Sequence, residues 1–245
     1  MNVLIFGASG GLGLGFVKKL LVDKKIDKIF ATYYSSSSEL GLLAGEYPDK
    51  LTCFCLDVTD EQQVADYLCQ LDKDTVKLHL VVNCIGILHQ DKIQPEKSLS
   101  QVNTDNLVSY FKVNSVASVI IAKYLIPLFR HDDISIFAVI SAKVGSISDN
   151  QLGGWYGYRA SKAALNMLLK TIAIEYQRKS PQTVVTALHP GTIDTKLSIP
   201  FQKNVDPDRL FSVEKGVNHL YEILQRLEKK DSGKFFSWDG SEIGW

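Results

Sequence analysis

The chain has 245 residues, a length that one α/β domain can reach, and its 27 basic and 27 acidic residues give a net charge of zero. Hydrophobic residues make up 45% and charged residues 22%, the composition of an ordinary globular enzyme. Balanced charge gives no reason to expect nucleic acid or an anionic membrane as a partner. The opening run MNVLIFGASG has no basic start and few apolar residues, so we expect neither a signal peptide nor a membrane span.

The four cysteines form no CxxC pair and no histidine cluster stands beside them. We therefore expect structural thiols, no metal site and a cytoplasmic location.

Short apolar or β-branched runs alternate with longer segments of helical spacing. The runs predict strands at 2–6, 28–33, 51–56, 78–82, 134–140 and 183–188. The longer segments predict helices at 12–22, 60–71, 104–129, 156–177 and 213–227. This alternation predicts a single α/β domain over 1–245: a Rossmann-type, doubly wound parallel sheet with helices on both faces. Residues 192–211 show no clear period, which is typical of a substrate loop.

A glycine-rich turn joins the first strand to the first helix. Free N–H groups at a helix N-terminus attract phosphate, and glycines let the backbone approach a pyrophosphate closely. The alternative is merely a tight turn, but its position between strand and helix favours a dinucleotide site. The candidate phosphate-binding residues are Gly7, Ser9, Gly10, Gly11, Leu12 and Gly13.

The end of the second strand bears on the choice of cofactor. An acid there would bind the ribose 2′-hydroxyl, but the segment reads Tyr33-Tyr34-Ser35 and the next acid is Glu39. Neither Arg nor Lys stands there, although the serines of 35–38 could donate hydrogen bonds to a phosphate. The segment favours NADP over NAD, with Tyr33 as a contact.

Tyr158 and Lys162 are four residues apart in a predicted helix and so share one face. A nearby ammonium is expected to lower the pKa of the phenol and make Tyr158 a general acid or base. A YxxxK match alone is more often only a helix surface.

Several motifs occur together in a fixed order: GASGGLG, Asp57-Val58, Asn83-Cys-Ile-Gly86, Asn114 in KVNS, YRASK, and Pro190-Gly191. In this order they resemble the short-chain dehydrogenase/reductase family over essentially the whole chain. GGWYGYRASKAALN followed by HPGTIDTKLSIPF is most similar to the C-factor-like and sniffer-type carbonyl reductase branch.

The resemblance implies an NAD(P)-dependent oxidoreductase that transfers hydride between the cofactor and a carbonyl or alcohol. It also implies catalysis by Tyr158, Lys162 and Asn114, with Lys162 bonding the nicotinamide ribose as well. The further cofactor contacts that it implies are Asp57, Val58, Asn83, Gly86, Pro190, Gly191, Ile193 and Thr195.

Asn114 follows Leu107 and Phe111 at helical spacing, which places an amide on a predicted apolar stripe. A buried amide must be satisfied. It either bonds a neighbouring carbonyl in the core or, as the resemblance implies, binds a water in a proton relay to Lys162.

The sequence departs from the family at one catalytic position. The residue three before Gly145, where the family usually has a serine, is Ala142. We expect Ser141 to replace it, although Ser146 or another group could bond the substrate oxygen instead.

Two rival functions remain open. One is a non-catalytic or signalling protein that keeps the dinucleotide fold. The other is a sugar-nucleotide epimerase or dehydratase, which usually carries a larger C-terminal domain than this chain has room for. For the leading function we expect an apolar or aromatic carbonyl substrate and a homodimer or homotetramer, because the predicted helices 104–129 and 156–177 are apolar on more than one face.

Overall fold

A computed structural model describes residues 1–35, 38–74, 76–90 and 92–245. In chain order its strands are β1 (Asn2–Phe6), β2 (Lys28–Tyr33), β3 (Leu51–Cys55), β4 (Leu80–Asn83), β5 (Ser135–Ile140), β6 (Thr183–His189), β7 (Thr192–Ile193), β8 (Leu210–Phe211) and β9 (Lys234–Ser237). Its α-helices are α1 (Gly11–Leu21), α2 (Ser38–Glu46), α3 (Glu61–Lys73), α4 (Thr104–Phe111), α5 (Ala117–Leu125), α6 (Tyr156–Lys179) and α7 (Val213–Leu224).

In the described part of the chain, seven parallel strands form one sheet in the order β3-β2-β1-β4-β5-β6-β9. Successive strand residues point to opposite faces, so each strand contributes side chains to a core on each face of the sheet. In β1, Val3 and Ile5 join a core with α1 and α7, whereas Leu4 and Phe6 join a core with α3, α5 and α6. The predicted doubly wound Rossmann-type fold is confirmed.

The strand order reverses between β1 and β4, which follow one another in the sheet but not in the chain. The connection after β1 leaves towards β2, and the connection after β4 leaves towards β5. Their loops therefore diverge at the carboxyl edge and open a crevice there, where open α/β sheets bind their ligands. The glycine turn after β1 lies on this crevice.

Outside segment 192–211, the sequence missed two elements. Strand β9 has only four residues, KFFS, too few to show a period, and its backbone pairs with β6. Helix α2 begins at Ser38, the last of the serines 35–38, in a region for which we predicted no helix. Residues 36 and 37 of that tract lie outside the described part of the chain.

The predicted continuous helix at 104–129 is wrong. A π-helical turn, Lys112–Val116, separates α4 from α5, and a 3-10 turn begins at Pro127. The wider turn shifts the register, so that Tyr110 rather than Phe111 is buried on the same side as Asn114. The predicted stripe of Leu107, Phe111 and Asn114 is therefore also wrong, since Phe111 is exposed.

Segment 192–211 contains more secondary structure than its lack of hydrophobic periodicity indicates. β7 and β8 pair with each other, and the 3-10 helices Ile199–Asn204 and Pro207–Arg209 lie between them. Across the described ranges, no helix combines the length and apolarity needed to cross a membrane.

Candidate active site

Two adjoining cavities fill the crevice at the carboxyl edge of the sheet. One, of about 470 Å³, is bordered by Gly10, Gly11 and Leu12 and contains Tyr158 and Lys162. The other, of about 420 Å³, extends towards Gly7, Ser9 and the end of β2. Cys84, Ile85 and Gly86 border both cavities, so together they form one extended cleft.

The glycine turn presents an open helix end to this cleft. Gly10 is the N-cap of α1, no side chain caps it, and a Cβ at Gly10 would meet no atom within 4 Å. Gly11 has a φ of +50°, a conformation that favours glycine. Free N–H groups with open space before them fit a pyrophosphate, which the partial positive charge of the helix end attracts.

Gly13 has a different role from the one expected. It is buried, and a Cβ there would lie 2.1 Å from the carbonyl oxygen of Gly7. This glycine lets α1 pack against the turn, and it lines neither cavity of the cleft.

The end of the cleft beside β2 is bordered by Tyr33, Asp57 and Val58, as expected. The Asp57 carboxylate accepts bonds of 2.8 Å from both the backbone N–H and the hydroxyl of Thr59. Asn83 does not border the cleft but braces it: it donates to the Ser118 hydroxyl and accepts from the N–H of Ile85, each at 3.0 Å.

Tyr158 lies in the first turn of α6 and is 7% exposed. Burial raises the pKa of its phenol above the usual value. The expectation that Lys162 lowers this pKa is wrong for the protein alone, because the Lys162 ammonium lies 6.0 Å from the ring centroid and its hydrogen bond goes elsewhere. The phenol is therefore protonated at neutral pH and can donate a proton.

Lys162 is 3% exposed and donates to the carbonyl oxygen of Ile140 at 3.0 Å. Burial lowers the pKa of its ammonium to about 8, so that it remains mostly charged at neutral pH. A Cβ at Gly86 would lie 3.3 Å from its Nζ, so Gly86 and Lys162 are neighbours in the cleft.

The Asn114 amide is satisfied within the protein. Its Oδ1 accepts from the N–H of Ile87 at 2.8 Å, and its Nδ2 donates to the carbonyl of Ile87 and the hydroxyl of Ser161, each at 3.0 Å. This is the core role that the sequence left open. It also fixes the backbone next to Gly86.

Ser141 borders the cavity, but its hydroxyl donates to Oδ1 of Asn166 on α6 at 2.7 Å. A hydroxyl has one proton, so this arrangement leaves none for a substrate oxygen. Ser146 donates to the carbonyl of Gly244 instead. Ala142, in contrast, packs in the apolar cluster that contains Tyr158.

Pro190, Gly191 and Ile193 also line the cavity that contains Tyr158, as expected. Thr195 borders neither cavity of the cleft, but its methyl group lies beside Gly11. His189 also borders the cavity, and burial lowers the pKa of its imidazole to about 4, so the ring is neutral.

Sequence reasoning missed Glu96. This acid is 2% exposed, and its Oε2 accepts from the N–H of Gly157 at 3.1 Å. It caps α6 from outside the helix, one residue before Tyr158. The two glycines before α6 were the only feature of the sequence that indicated an unusual start of this helix. In the structure, Trp155 follows them in a left-handed conformation with a φ of 53°.

A group of three possible metal ligands lies at the edge of the sheet opposite the cleft. The side chains of His79, His131 and Asp133 are close enough there to share a cation. The tautomer of His79 argues against this. Its Nδ1 accepts from the N–H of Asn2 at 3.1 Å, so its Nε2 carries the proton and faces Asp133 at 3.5 Å. The group is better described as a hydrogen-bonded pair with His131 beside it.

Solved structures resemble this fold along its whole length. NADPH-bound carbonyl reductase from chicken fatty liver superposes with a TM-score of 0.87 at 26% identity and covers 100% of this chain and 98% of its own. Carbonyl reductase Sniffer of D. melanogaster superposes with a TM-score of 0.85 at 25% identity, covering 100% and 99%. The predicted resemblance to sniffer-type enzymes is confirmed.

Curated relatives show a similar level of sequence identity over a smaller part of the chain. The C-signal protein of Myxococcus xanthus is 27% identical over 60% of this chain and 84% of its own length. An (S)-benzoin-forming benzil reductase of Saccharomyces cerevisiae is 29% identical over 84% of this chain and 76% of its own. The similarity to C-signal does not favour a signalling role for this chain. Tyr158 and Lys162 are both present, buried and at the cleft.

The family model for short chain dehydrogenases matches residues 1–206. That match covers the glycine turn, the Tyr158–Lys162 pair and the cleft wall up to the first 3-10 helix of segment 192–211. The chain belongs to the short-chain dehydrogenase family and is an NAD(P)-dependent oxidoreductase with a Rossmann-type fold.

Proposed function

We propose that the protein reduces apolar or aromatic carbonyl compounds to alcohols, with NADPH as the preferred cofactor. The observation that carries the proposal is a buried, protonated Tyr158 in an otherwise mainly apolar cavity next to an open helix N-terminus. Aromatic rings line this cavity, with the centroids of Trp155 and Tyr158 6.1 Å apart and those of Trp155 and Phe201 5.0 Å apart. The yeast relative is named for reduction of benzil, an aromatic diketone.

NADPH, when bound, supplies the hydride that the carbonyl carbon gains. Tyr158 donates its phenolic proton to the carbonyl oxygen, so that the substrate leaves as an alcohol. The Lys162 ammonium stabilises the phenolate that remains and bonds the nicotinamide ribose. Asn114 holds Ile87 beside Gly86 through its amide, and the second lone pair of its Oδ1 accepts from the water of a relay that protonates the phenolate again.

The cofactor preference is proposed from the end of β2. Tyr33, Tyr34 and Ser35 offer no carboxylate to repel a 2′-phosphate, and the next acid along the chain, Glu39, is paired with Lys18. Pro190, Gly191, Ile193 and Thr195 are proposed to hold the nicotinamide carboxamide. Residues 192–211 cover the substrate, since Leu197, Phe201 and Val205 contribute apolar wall to its cavity.

The substrate oxygen needs a hydrogen-bond donor as negative charge develops on it. The Ser141 proton is engaged by Asn166, so we propose that Tyr158 supplies this bond itself and that Ser141 fixes α6 against β5. The Ala142 methyl group then takes the place of the usual serine hydroxyl.

We also propose self-association and a cytoplasmic location. Val108, Phe111 and Val116 are exposed on the surface of α4 and the π-helical turn, and Met167 and Ile174 are exposed on α6. A symmetric dimer or tetramer would cover these apolar side chains. The cysteines are free thiols, as in proteins of reducing compartments.

Gly10→Asp should weaken binding of NADPH at least tenfold, because like charges about 4 Å apart at a protein surface repel by several kcal/mol. The N-cap position has room for the side chain and favours Asp, so thermal stability should be retained or rise. Calorimetric titration with NADPH and NADH, together with thermal unfolding, measures both effects. NADPH should bind the wild type more tightly than NADH does.

Gly13→Ala provides the contrast, because its Cβ would collide with the Gly7 carbonyl and should lower stability and cofactor affinity together. Unchanged NADPH affinity in Gly10→Asp would remove this helix end from the cofactor site. NADH binding as tightly as NADPH would contradict the cofactor preference.

Tyr158→Phe should lower kcat for benzil reduction by about 100-fold or more, since general acid catalysis contributes that much. NADPH affinity should stay nearly the same. Tyr110→Phe is the matched control: its ring lies 6.3 Å from that of Tyr158, and its hydroxyl donates to the Leu88 carbonyl rather than to the cavity. A Tyr158→Phe enzyme as active as Tyr110→Phe would refute the proton-transfer step.

Ser141→Ala should lower stability by about 1–3 kcal/mol, because it leaves the buried Asn166 amide without a partner. We expect kcat to fall less than about tenfold, whereas loss of an oxyanion donor typically costs about 100-fold or more. Thermal unfolding and steady-state kinetics separate the two effects. Ala142→Ser, which restores a hydroxyl beside Tyr158, should raise kcat.

A 100-fold loss of kcat in Ser141→Ala with unchanged stability would show that Ser141 is the oxyanion donor after all.

Sedimentation at micromolar protein should reveal a dimer or tetramer. Val108→Lys combined with Met167→Lys should shift the species towards monomer, because each change places a charge in the proposed interface. The exposed Leu42 on α2 offers a control position, Leu42→Lys, on a different helix. A wild-type monomer would contradict the proposal.

A further inference from the structure

A third cavity, a groove of about 780 Å³, lies directly behind the aromatic wall of the active site. Trp155 and Phe201 border both spaces, so a single layer of rings separates the groove from the catalytic cavity. The two rings pack edge-to-face with their centroids 5.0 Å apart, so a substrate that extends past the edge of this layer would contact both spaces.

Exposed positive charge is concentrated in this groove. Lys92, Lys97 and Lys203 line it and are exposed. None of the three forms an ion pair with any residue in the described part of the chain, although several other lysines of this chain do, such as Lys123 with Glu61. Three unpaired ammonium groups on one concave surface focus a positive potential there.

Glu96 is the acid among the described residues that line the groove, and it does not neutralise the lysines. Its carboxylate is buried and bonded to the N–H of Gly157, where the partial positive charge of the α6 N-terminus balances it. Asp91 lies outside the described residues. In the catalytic cavity, by comparison, Lys143 is already paired with Asp149 at 3.1 Å.

We propose that this groove binds the anionic end of the substrate, a carboxylate in particular. The preferred substrate is then a carbonyl compound with an apolar or aromatic body near Tyr158 and a carboxylate several bonds from the carbonyl. The inference rests on the proposed carbonyl reduction and adds to it a second point of recognition. The three lysines determine specificity and take no part in the chemical step.

The test compares 5-oxo-5-phenylpentanoate with its methyl ester, which present the same ketone with and without a charge. Wild-type kcat/KM should be about fivefold or more higher for the acid, because each exposed ion pair contributes a factor of a few. The ratio of acid to ester should fall to about one in the triple variant Lys92→Gln, Lys97→Gln, Lys203→Gln. Added salt should lower the wild-type ratio as well.

A matched control removes the same charge elsewhere. Lys24, Lys25 and Lys73 are exposed and lie on or next to α1 and α3, at the ends far from the cleft. Their triple change to Gln should leave the acid-to-ester ratio at its wild-type value. An equal ratio in the wild type and in the groove variant would overturn the proposal.

Calorimetric titration of the NADPH complex with the acid and the ester supplies a readout that does not depend on turnover. Tighter binding of the acid, lost in the groove variant, supports the groove even if neither ketone is reduced. Equal binding of both compounds overturns it. Failure to reduce benzil as well would refute the proposed carbonyl reduction, and the binding data would still decide the question of the groove.

Discussion

The burial of one ammonium group constrains the whole active site. Lys162 can lie beneath the cleft only if α6 approaches the carboxyl edge of the sheet closely and its charge finds a partner there. Gly145 allows the approach, since a Cβ at that position would lie 2.8 Å from the Cβ of Lys162. The Ile140 carbonyl at the end of β5 supplies the partner. The positions of the sheet edge, of Gly145 and of α6 are thus constrained by the need to bury and pair the Lys162 ammonium.

The same approach determines the state of the catalytic phenol. Tyr158 lies one turn before Lys162, so a helix close enough to bury the lysine also buries the tyrosine. Burial shifts the two pKa values in opposite directions: it raises that of the phenol and lowers that of the ammonium to about 8. Both groups therefore carry their protons at neutral pH in the protein alone.

Two side chains outside α6 position this helix, one as an acceptor and one as a donor. Glu96 caps its N-terminus before Tyr158, and Ser141 bonds Asn166 one turn after Lys162. The Nδ2 of Asn166 finds no hydrogen-bond partner among the described residues, so the amide depends on Ser141 for its one bond. The serine that sequence reasoning assigned to the substrate therefore contributes to the frame of the site.

The sequence by itself determined the alternation of strands and helices, the glycine turn and the pairing of Tyr158 with Lys162, because each depends on local spacing along the chain. It could not determine β9, whose four residues become a strand only by pairing with β6. It placed Asn114 on the wrong stripe, since the π-helical turn that buries Asn114 is favoured by its bonds to Ile87 and Ser161. Tertiary structure alone decided which way Ser141 points. It also brought Glu96 and the three groove lysines beside the active site. Both outcomes depend on contacts between residues that are far apart in the chain.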